Sequence, residues 1–342
     1  MPIGLRGVGK TVLLNRFAEI AHQEAMRVGY LEAPESGDFR QLLAVRIRTV
    51  LLDLKRTLTS RTVDRALGIL KSFAYTLPEG GTISLDVEAM TGKGDSGLLT
   101  EDVTDLLVAV GEAASERGTG VLLAIDELQY LTSDELAAII TAIHRTVQLD
   151  LPVLLVGAGL PQLPGLAGDA KSYAERLFEF PQIGSLGEED ARAVLAIPVE
   201  DQRVEFAPDA LDEMVARAHG YPYFLQEWGY HVWNVAASSP IEAAEVAIAA
   251  PEVQQRLDDN FFHVRLDRLT PAEKRYLRAM AELGPGPHRS GDIALQLDVK
   301  VESVAPRRSG LIRKGMIYSP AHGDTAFTVP LFDDFLRRKL TS

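Results

Sequence analysis

The first half of the chain alternates between short apolar runs and segments with helical spacing. Continuous apolar runs predict strands buried on both faces of a sheet, at residues 121–125 and 152–156, with weaker candidates at 28–33 and 178–183. Helical spacing predicts five helices, over residues 11–27, 38–55, 61–75, 101–117 and 133–149. Alternating apolar positions at 82–88 predict a hairpin strand. Strands that alternate with helices are typical of an α/β fold in which a parallel sheet is flanked by helices.

From residue 186 onward the pattern is almost entirely helical. Four amphipathic segments predict an all-α domain over residues 186–264. Three short helices at 269–283, 290–297 and 302–314 and two short strands at 316–319 and 325–329 follow, and a helix at 332–340 ends the chain. Three helices and a two-stranded wing predict a winged helix-turn-helix over residues 265–342. We expect Pro306 to interrupt the third helix or move its start, because proline removes a donor and its ring crowds the preceding turn.

Composition narrows the class of protein. The chain has 342 residues, of which 46% are hydrophobic and 24% are charged, as in an ordinary globular protein of two or three domains. It has no cysteine, which excludes disulfides and thiolate metal sites and fits a reducing compartment. No apolar run approaches the roughly 20 residues that span a bilayer. We therefore expect a cytoplasmic protein without a membrane partner.

A complete phosphate-binding motif lies at the start of the chain. Residues 4–11 read Gly-Leu-Arg-Gly-Val-Gly-Lys-Thr, which fits G-x-x-x-x-G-K-T. Glycines let backbone amides converge on phosphate oxygens, and the helix N-terminus favours negative charge. Lys10 would reach the β- and γ-phosphates, and Thr11 would bind Mg²⁺. The remaining predicted cofactor-binding residues of this segment are Gly4, Gly7, Val8, Gly9 and Val12.

Two acids follow the most apolar predicted strand. Asp126 and Glu127 come directly after residues 121–125, at the end of the strand that would face the phosphates. An acid at this place holds the magnesium ion, which predicts that role for Asp126. A second carboxylate can polarise the attacking water, which predicts Glu127 as the general base. Together with the loop, this pair predicts a site for ATP and Mg²⁺.

These motifs resemble the AAA+/STAND superfamily of P-loop ATPases, more closely the bacterial and archaeal AAA ATPases related to origin-recognition ATPases. The resemblance rests on the loop, the acid pair with Leu-Gln-Tyr-Leu at 128–131, the strand at 153–161, and Gly220-Tyr221-Pro222. It implies a P-loop ATPase domain over residues 1–185. It also implies that residues 186–264 are a helical lid, in which Gly220 and Pro222 lie near the nucleotide.

Two further positions follow from the resemblance. Arg176 occupies a place where relatives often present an arginine finger to a neighbouring subunit, which implies catalytic charge stabilisation in a nucleotide-dependent homo-oligomer. The alternative is a surface arginine paired with Glu175 or Glu179. Relatives usually carry a polar side chain at the sensor-1 strand end, whereas this chain has Gly157-Ala158-Gly159, with Gln162 as the nearest amide. This departure favours slow hydrolysis.

In the family, an interior strand precedes the phosphate loop. Only three residues precede Gly4 here, so most of that strand is missing from the sequence. Interior strands need partners on both sides for their backbone groups. We expect a truncated or misassigned start, with a rearranged sheet as the alternative.

The predicted recognition helix carries the candidate nucleic-acid contacts. Residues 269–342 hold 12 Lys and Arg against 8 Asp and Glu, although the whole chain has a net charge of −13. A basic helix can enter the major groove while its cations hold phosphates. Winged helices also serve as protein-interaction modules, so double-stranded DNA and a protein remain alternative partners. The candidate DNA contacts are Arg307, Arg308, Arg313 and Lys314.

Two functional hypotheses follow. In the first, the chain is a slowly hydrolysing ATPase switch in which Glu127, Lys10 and Arg176 act on the reaction and the winged helix reports the nucleotide state. In the second, nucleotide is only a ligand of a non-hydrolysing regulator or scaffold, and the winged helix mediates a protein interaction.

Overall fold

The computed structural model describes residues 1–55, 60–77, 85, 87–321 and 323–340, and these form two compact units. Unit 1 comprises Met1–Gly4 and Lys10–Gln182, and unit 2 comprises Leu5–Gly9 and Ile183–Ser342. Of the phosphate motif, Gly4, Lys10 and Thr11 thus belong to unit 1, and Leu5–Gly9 belong to unit 2.

Unit 1 contains seven helices in its described residues. They are α1 (Lys10–Gln23), α2 (Phe39–Lys55), α3 (Arg61–Tyr75), α4 (Leu99–Glu116), α5 (Ser133–Gln148), α6 (Leu163–Ala170) and α7 (Ala174–Leu177). Local sequence fixes several of the ends. Thr132 and Glu135, for example, form a capping box that starts α5 by satisfying its first amides. The sequence pattern missed only the two short helices α6 and α7.

A parallel sheet forms the centre of unit 1. Its strands are β2 (Arg27–Glu32), β3 (Val121–Asp126) and β4 (Val153–Gly157), and β1 (Ile3–Gly4) pairs with β5 (Gln182–Ile183) in a separate two-stranded sheet. β3 lies between β2 and β4, with Glu32 opposite Asp126 and Ile125 opposite Gly157. Every residue of β3 is buried, as its unbroken apolar run predicts. The predicted α/β class, with a parallel sheet flanked by helices, is confirmed.

The two residues of β1 have partners on both sides. The Gly4 amide donates to the Gly159 carbonyl at 3.1 Å, and Gly159 donates back to Pro2 at 3.2 Å. On the opposite side, the Ile3 amide donates to the Pro181 carbonyl at 3.0 Å. The short segment before the phosphate loop therefore has backbone hydrogen-bond partners on both sides.

Unit 2 is mainly helical. Its helices are α8 (Glu188–Glu200), α9 (Pro208–Ala218), α10 (Pro222–Val235), α11 (Ala243–Arg256), α12 (Val264–Leu266), α13 (Pro271–Glu282), α14 (Ser290–Gln296), α15 (Val301–Arg313) and α16 (Phe332–Lys339), with a π-helical segment at Leu257–His263 between α11 and α12. A small antiparallel sheet has the order β6 (His288–Arg289), β8 (Asp324–Phe327), β7 (Ile317–Tyr318). One apolar cluster extends through these elements and includes Val8 of the phosphate loop.

One local prediction, at Pro306, is wrong, and another, at residues 82–88, is not tested. Helix α15 runs unbroken through Pro306, contrary to the predicted interruption. Its buried residues Val304 and Leu311 lie on either side of the proline, and this packing offsets the one lost hydrogen bond. The predicted strand at 82–88 falls largely outside the described residues. The predicted boundaries 1–185, 186–264 and 265–342, and the winged-helix assignment, stay predictions.

Candidate nucleotide site

Helix α1 begins at the lysine of the phosphate loop. Lys10 is only 5% exposed, and its Nζ donates to the Gly4 carbonyl at 3.0 Å across the loop. A buried cation at a helix N-terminus is an arrangement that attracts an anion. Gly7 and Gly9 both adopt positive φ angles, +87° and +91°, which glycine accommodates without strain.

Asp126 and Thr11 meet at the carboxyl end of β3. Thr11 Oγ1 donates to Asp126 Oδ2 at 2.6 Å, and the Glu127 amide donates to Oδ1 at 2.8 Å. The Asp126 side chain is 3% exposed and accepts a longer bond from the Tyr30 hydroxyl at 3.5 Å. The two predicted magnesium ligands are therefore in direct contact.

Tyr30 extends this group from the neighbouring strand β2. Burial, and after it the charges of Asp126, Glu32 and Glu127, raises the pKa of Tyr30 to about 12. The phenol thus stays protonated at neutral pH and can donate to the carboxylate. No pattern in the sequence identified Tyr30, because only the β2–β3 register brings it near Asp126.

The donor chemistry at this point fits Mg²⁺. A hydroxyl and a carboxylate are hard oxygen ligands, and Mg²⁺ typically takes one or two protein oxygens together with phosphate oxygens and water. Within the described ranges, no group of three or more His, Cys, Asp or Glu side chains could hold a metal by itself. Thr11 and Asp126 therefore suit a magnesium ion that arrives with phosphates.

Glu127 has an unusual backbone and a specific partner. Its φ of +54° is left-handed, which is uncommon for a residue other than glycine and is a feature that clusters at functional sites. Its carboxylate accepts a hydrogen bond from Gln129 Nε2, and Gln129 Oε1 in turn accepts from the Leu160 amide at 3.0 Å. Gln129, not Gln162, is the amide that connects the predicted general base to the chain after β4.

The glycines at the sensor-1 position have a steric explanation. A Cβ atom on Gly157 would collide with Leu128 Cδ1, and one on Gly159 would lie 2.9 Å from Leu163 Cδ2 and 3.0 Å from Gln129 Oε1. The segment after Glu127 thus packs directly on the end of β4. Close packing takes the place of the polar side chain that the family pattern has there.

Arg176 makes no hydrogen bond or ion pair with this group within the described part of unit 1. Its side chain is exposed on α7, and within the described residues it has neither of the ion pairs with Glu175 or Glu179 that were the alternative to a finger. Val12, also predicted from the motif, has a side chain that is 66% exposed, so only its backbone suits a role at the loop.

In unit 2, the loop contacts the segment that carries Gly220 and Pro222. The Tyr221 hydroxyl donates to the Arg6 carbonyl, and the Tyr223 amide donates to the Gly7 carbonyl at 3.1 Å. Gly220 has a φ of +64°, and a Cβ there would lie 2.5 Å from the Leu186 carbonyl oxygen. Sequence reasoning found the glycine and the proline but missed the two tyrosines that make the bonds.

Arginine side chains next to the loop were also missed. Arg265 lies over the Phe261 ring, 4.0 Å from its centroid, and donates to the Phe261 carbonyl. Burial, and after it the charge of Arg6, lowers the pKa of Arg265 to about 10. The Arg6 guanidinium packs against Gly315, where a Cβ would lie 2.6 Å from Nη2. Arg6 stands at a variable position of the motif and Arg265 lies outside it, so neither residue carries a sequence signal that could have identified these contacts.

The four candidate DNA contacts separate into two kinds. Arg308 donates at 2.8 Å to Thr325 Oγ1, to Ser319 Oγ and to the Asp324 carbonyl, which ties α15 to the β7–β8 hairpin. Lys314 pairs with Glu273 at 2.8 Å. Arg307 is half-buried and Arg313 is exposed, and neither has an ion pair within the described chain. The structure thus gives Arg308 and Lys314 internal bonds instead of a free cationic surface.

No helix among the described residues combines the length and apolarity needed to cross a membrane.

Comparisons with solved structures return weak similarities. RuvB from Thermotoga maritima, a Holliday junction branch migration motor, is 16% identical, with 95% of this chain and 83% of that chain covered and a TM-score of 0.46. Cdc6p from Pyrobaculum aerophilum is 15% identical, with 99% and 88% covered and a TM-score of 0.43. Orc1 from Aeropyrum pernix, in complex with DNA, is 16% identical, with 99% and 86% covered and a TM-score of 0.40.

Family models match two parts of the chain. Residues 259–336 match a family described as a domain of unknown function, DUF8462. Residues 3–156 match the AAA ATPase domain. No curated protein matches the chain in sequence. The second match covers the phosphate loop, the Thr11–Asp126 pair and strands β1 to β4. Residues 3–156 are therefore similar in sequence to an AAA ATPase domain.

Proposed function

We propose that this chain is a switch that binds Mg-ATP, hydrolyses it slowly, and couples its nucleotide state to residues 265–342, which we propose form a winged helix. The observation that carries the proposal is the direct bond between Thr11 and Asp126, beside the buried Lys10. A hydroxyl and a carboxylate brought together from two distant segments make a ligand pair that a phosphate-bound magnesium ion completes.

The residues at the loop have different roles in nucleotide binding. Lys10 neutralises the β- and γ-phosphates, and Thr11 and Asp126 hold the metal. A bound Mg²⁺ would supply positive charge that offsets the charge developing on the phosphates. The backbone of the loop and of the lid turn supplies the remaining contacts, through Gly4, Gly7, Val8, Gly9, Val12, Gly220 and Pro222.

Glu127 is the proposed general base. Its carboxylate takes a proton from the attacking water, and the bond from Gln129 holds that carboxylate in place. Arg176, exposed on α7, would supply positive charge to the γ-phosphate of a neighbouring copy in a homo-oligomer.

The contact between Arg6 and Gly315 supports the coupling. Arg6 belongs to the phosphate loop, and Gly315 follows α15 in the C-terminal module. A conformational change in the loop would therefore alter its contact with the module. We propose that the module then binds double-stranded DNA or a protein. Arg307 and Arg313 are its available cations for the DNA alternative.

Equilibrium binding tests the proposal. A fluorescent ATP analogue should bind the wild-type chain with an affinity that rises when Mg²⁺ is added. Lys10→Ala should abolish binding, because the loop loses its only buried cation side chain among the described residues of the motif. Lys171→Ala, elsewhere in unit 1, is the matched control and should bind as the wild type does. Absence of binding by the wild-type chain would refute the proposal.

A non-hydrolysing regulator is the second candidate. The close packing of Gly157 and Gly159, with no polar side chain at the sensor-1 position, favours it. Single-turnover phosphate release distinguishes the two candidates. Bound ATP that stays intact over many hours, in the presence of Mg²⁺ and the partner, would support the regulator.

A further inference from the structure

Two consecutive carbonyl groups of the phosphate loop are held by the lid segment of unit 2. Tyr221, the residue before α10, uses its hydroxyl to hold the Arg6 carbonyl. The backbone amide of Tyr223 in the first turn of α10 holds the Gly7 carbonyl at 3.1 Å. These bonds fix two successive peptide planes in the part of the motif that lies between its outer glycines.

Holding a carbonyl also fixes the direction of an amide. A trans peptide is planar, so its C=O and the N–H of the next residue point in opposite directions. The plane of the Arg6 carbonyl carries the Gly7 N–H, and the plane of the Gly7 carbonyl carries the Val8 N–H. Both N–H groups therefore point away from the tyrosines that hold the carbonyls.

The two donors are themselves held rigidly. Tyr221 is 2% exposed, and burial raises the pKa of its phenol, which keeps the hydroxyl protonated and able to donate. The Tyr223 ring stacks on Phe261 at 4.6 Å with an interplanar angle of 19°. A Cβ on Gly7 would lie 3.1 Å from Tyr223 Cβ and 3.2 Å from Tyr221 Cε1, so the loop lies directly on both residues.

We propose that Tyr221 and Tyr223 are positioning residues for triphosphate binding: they hold the Arg6 and Gly7 carbonyls so that the Gly7 and Val8 amides face the phosphates. The inference rests on the proposed function of the loop. It assigns to the lid segment an action on the loop backbone, which neither Gly220 nor Pro222 performs. Gly220 instead shapes the turn that places Tyr221, and Pro222 opens α10.

The first experiment compares two conservative variants. Tyr221→Phe removes the hydroxyl that holds the Arg6 carbonyl, whereas Tyr230→Phe removes the hydroxyl of an exposed residue in the adjoining helix α10. The expected result is an ATP affinity about 3- to 10-fold weaker for Tyr221→Phe, in keeping with the loss of one hydrogen bond. Tyr230→Phe should bind as the wild type does. Equal ATP affinity of Tyr221→Phe and the wild type would overturn the proposal.

The second experiment observes the Gly7 amide without nucleotide. The sequence contains only two Arg–Gly pairs, Arg6–Gly7 and Arg117–Gly118. Protein labelled with ¹³C-carbonyl arginine and ¹⁵N-glycine therefore gives two carbonyl-coupled amide signals, and the second is an internal reference in unit 1. Tyr221→Phe should shift the Gly7 signal and lower its order parameter from about 0.85 to below about 0.6, while Gly118 is unchanged.

The two experiments separate the inference from the proposed function. An unchanged Gly7 signal in Tyr221→Phe overturns the positioning role even if the variant loses stability, since a general loss of stability would not act on this amide alone. If the wild-type chain binds no ATP although Tyr221→Phe changes the Gly7 signal, the proposed nucleotide function is refuted. A wild-type chain that binds ATP as tightly as Tyr221→Phe refutes the inference and leaves the function standing.

Discussion

Thr11 Oγ1 donates a hydrogen bond to Asp126 Oδ2 at 2.6 Å, although the two residues are 115 positions apart in the chain. The bond joins the first turn of α1 to the end of β3. Both oxygens are thereby held close together. Because Thr11 donates this bond, the lone pairs of its oxygen remain available to a cation.

The first prediction concerns this pair. Thr11→Val keeps the shape of the side chain and removes the oxygen, so Mg²⁺ should no longer strengthen ATP binding. We expect a loss of about 10- to 100-fold in affinity with Mg²⁺, the usual value of a hydrogen bond or ligand contact to a charged group, and little change without it. Thr49→Val, whose hydroxyl bonds only to its own helix, is the control. A Mg²⁺ effect that survives in Thr11→Val would contradict the metal assignment.

The second prediction concerns hydrolysis. Glu127→Gln keeps the size of the side chain but cannot accept a proton from water. Bound ATP should therefore remain intact in the variant, and single-turnover phosphate release should stop. Glu24→Gln, exposed near the end of unit 1's first helix, should leave turnover unchanged. Phosphate release at the wild-type rate from Glu127→Gln would remove Glu127 from the mechanism.

The third prediction concerns packing at the end of β4. Gly157→Ala places a methyl group against Leu128, which should lower the free energy of unfolding by about 1–3 kcal/mol through overpacking. Leu128→Ala in the same chain should recover part of that loss, since the two side chains share one space. Gly165→Ala, with nothing within 4 Å of its added carbon, is the control and should be neutral or stabilising. Urea unfolding measures all four chains.

The fourth prediction separates stability from partner binding in the C-terminal module. Arg308→Ala should lower the free energy of unfolding by about 1.5–3 kcal/mol, because its three bonds hold the β7–β8 hairpin. Arg307→Glu with Arg313→Glu should leave the unfolding free energy nearly unchanged. If the partner is DNA, this double variant should lose a salt-dependent duplex shift that the wild type shows. Absence of any shift by the wild type at low salt would favour a protein partner.

The fifth prediction concerns Tyr30. Its pKa in the folded chain, about 12, lies above the ordinary tyrosine value of about 10, so the folded chain keeps a proton that the unfolded chain releases at high pH. The contribution of Tyr30 to stability is then complete below pH 10 and declines as the pH rises towards 12. Urea unfolding at several pH values measures the stability of the wild type relative to Tyr30→Phe. This relative stability should decrease as the pH rises from 10 towards 12. A difference that is constant across this range would contradict the raised pKa.

The sequence by itself determined the class of the site. The phosphate loop is a contiguous motif, and the acids Asp126 and Glu127 follow a fully apolar run, so both could be identified before any contact was known. The α/β order and the bounds of most long helices also followed, because apolar spacing is a local property of the chain. Short elements such as α7 and β6, with four and two residues, are too brief to show a period.

Tertiary structure alone decided which partners those residues have. Gln129 reaches Glu127 because Leu128 packs against Gly157, and Tyr221 reaches Arg6 from 215 positions away. The basic pattern of α15 predicts that Arg308 contacts DNA. In the structure, Arg308 instead forms hydrogen bonds that link α15 to the β7–β8 hairpin. Periodicity specifies which face of an element is apolar, but a hydrogen bond depends on the positions of two segments that local sequence does not relate.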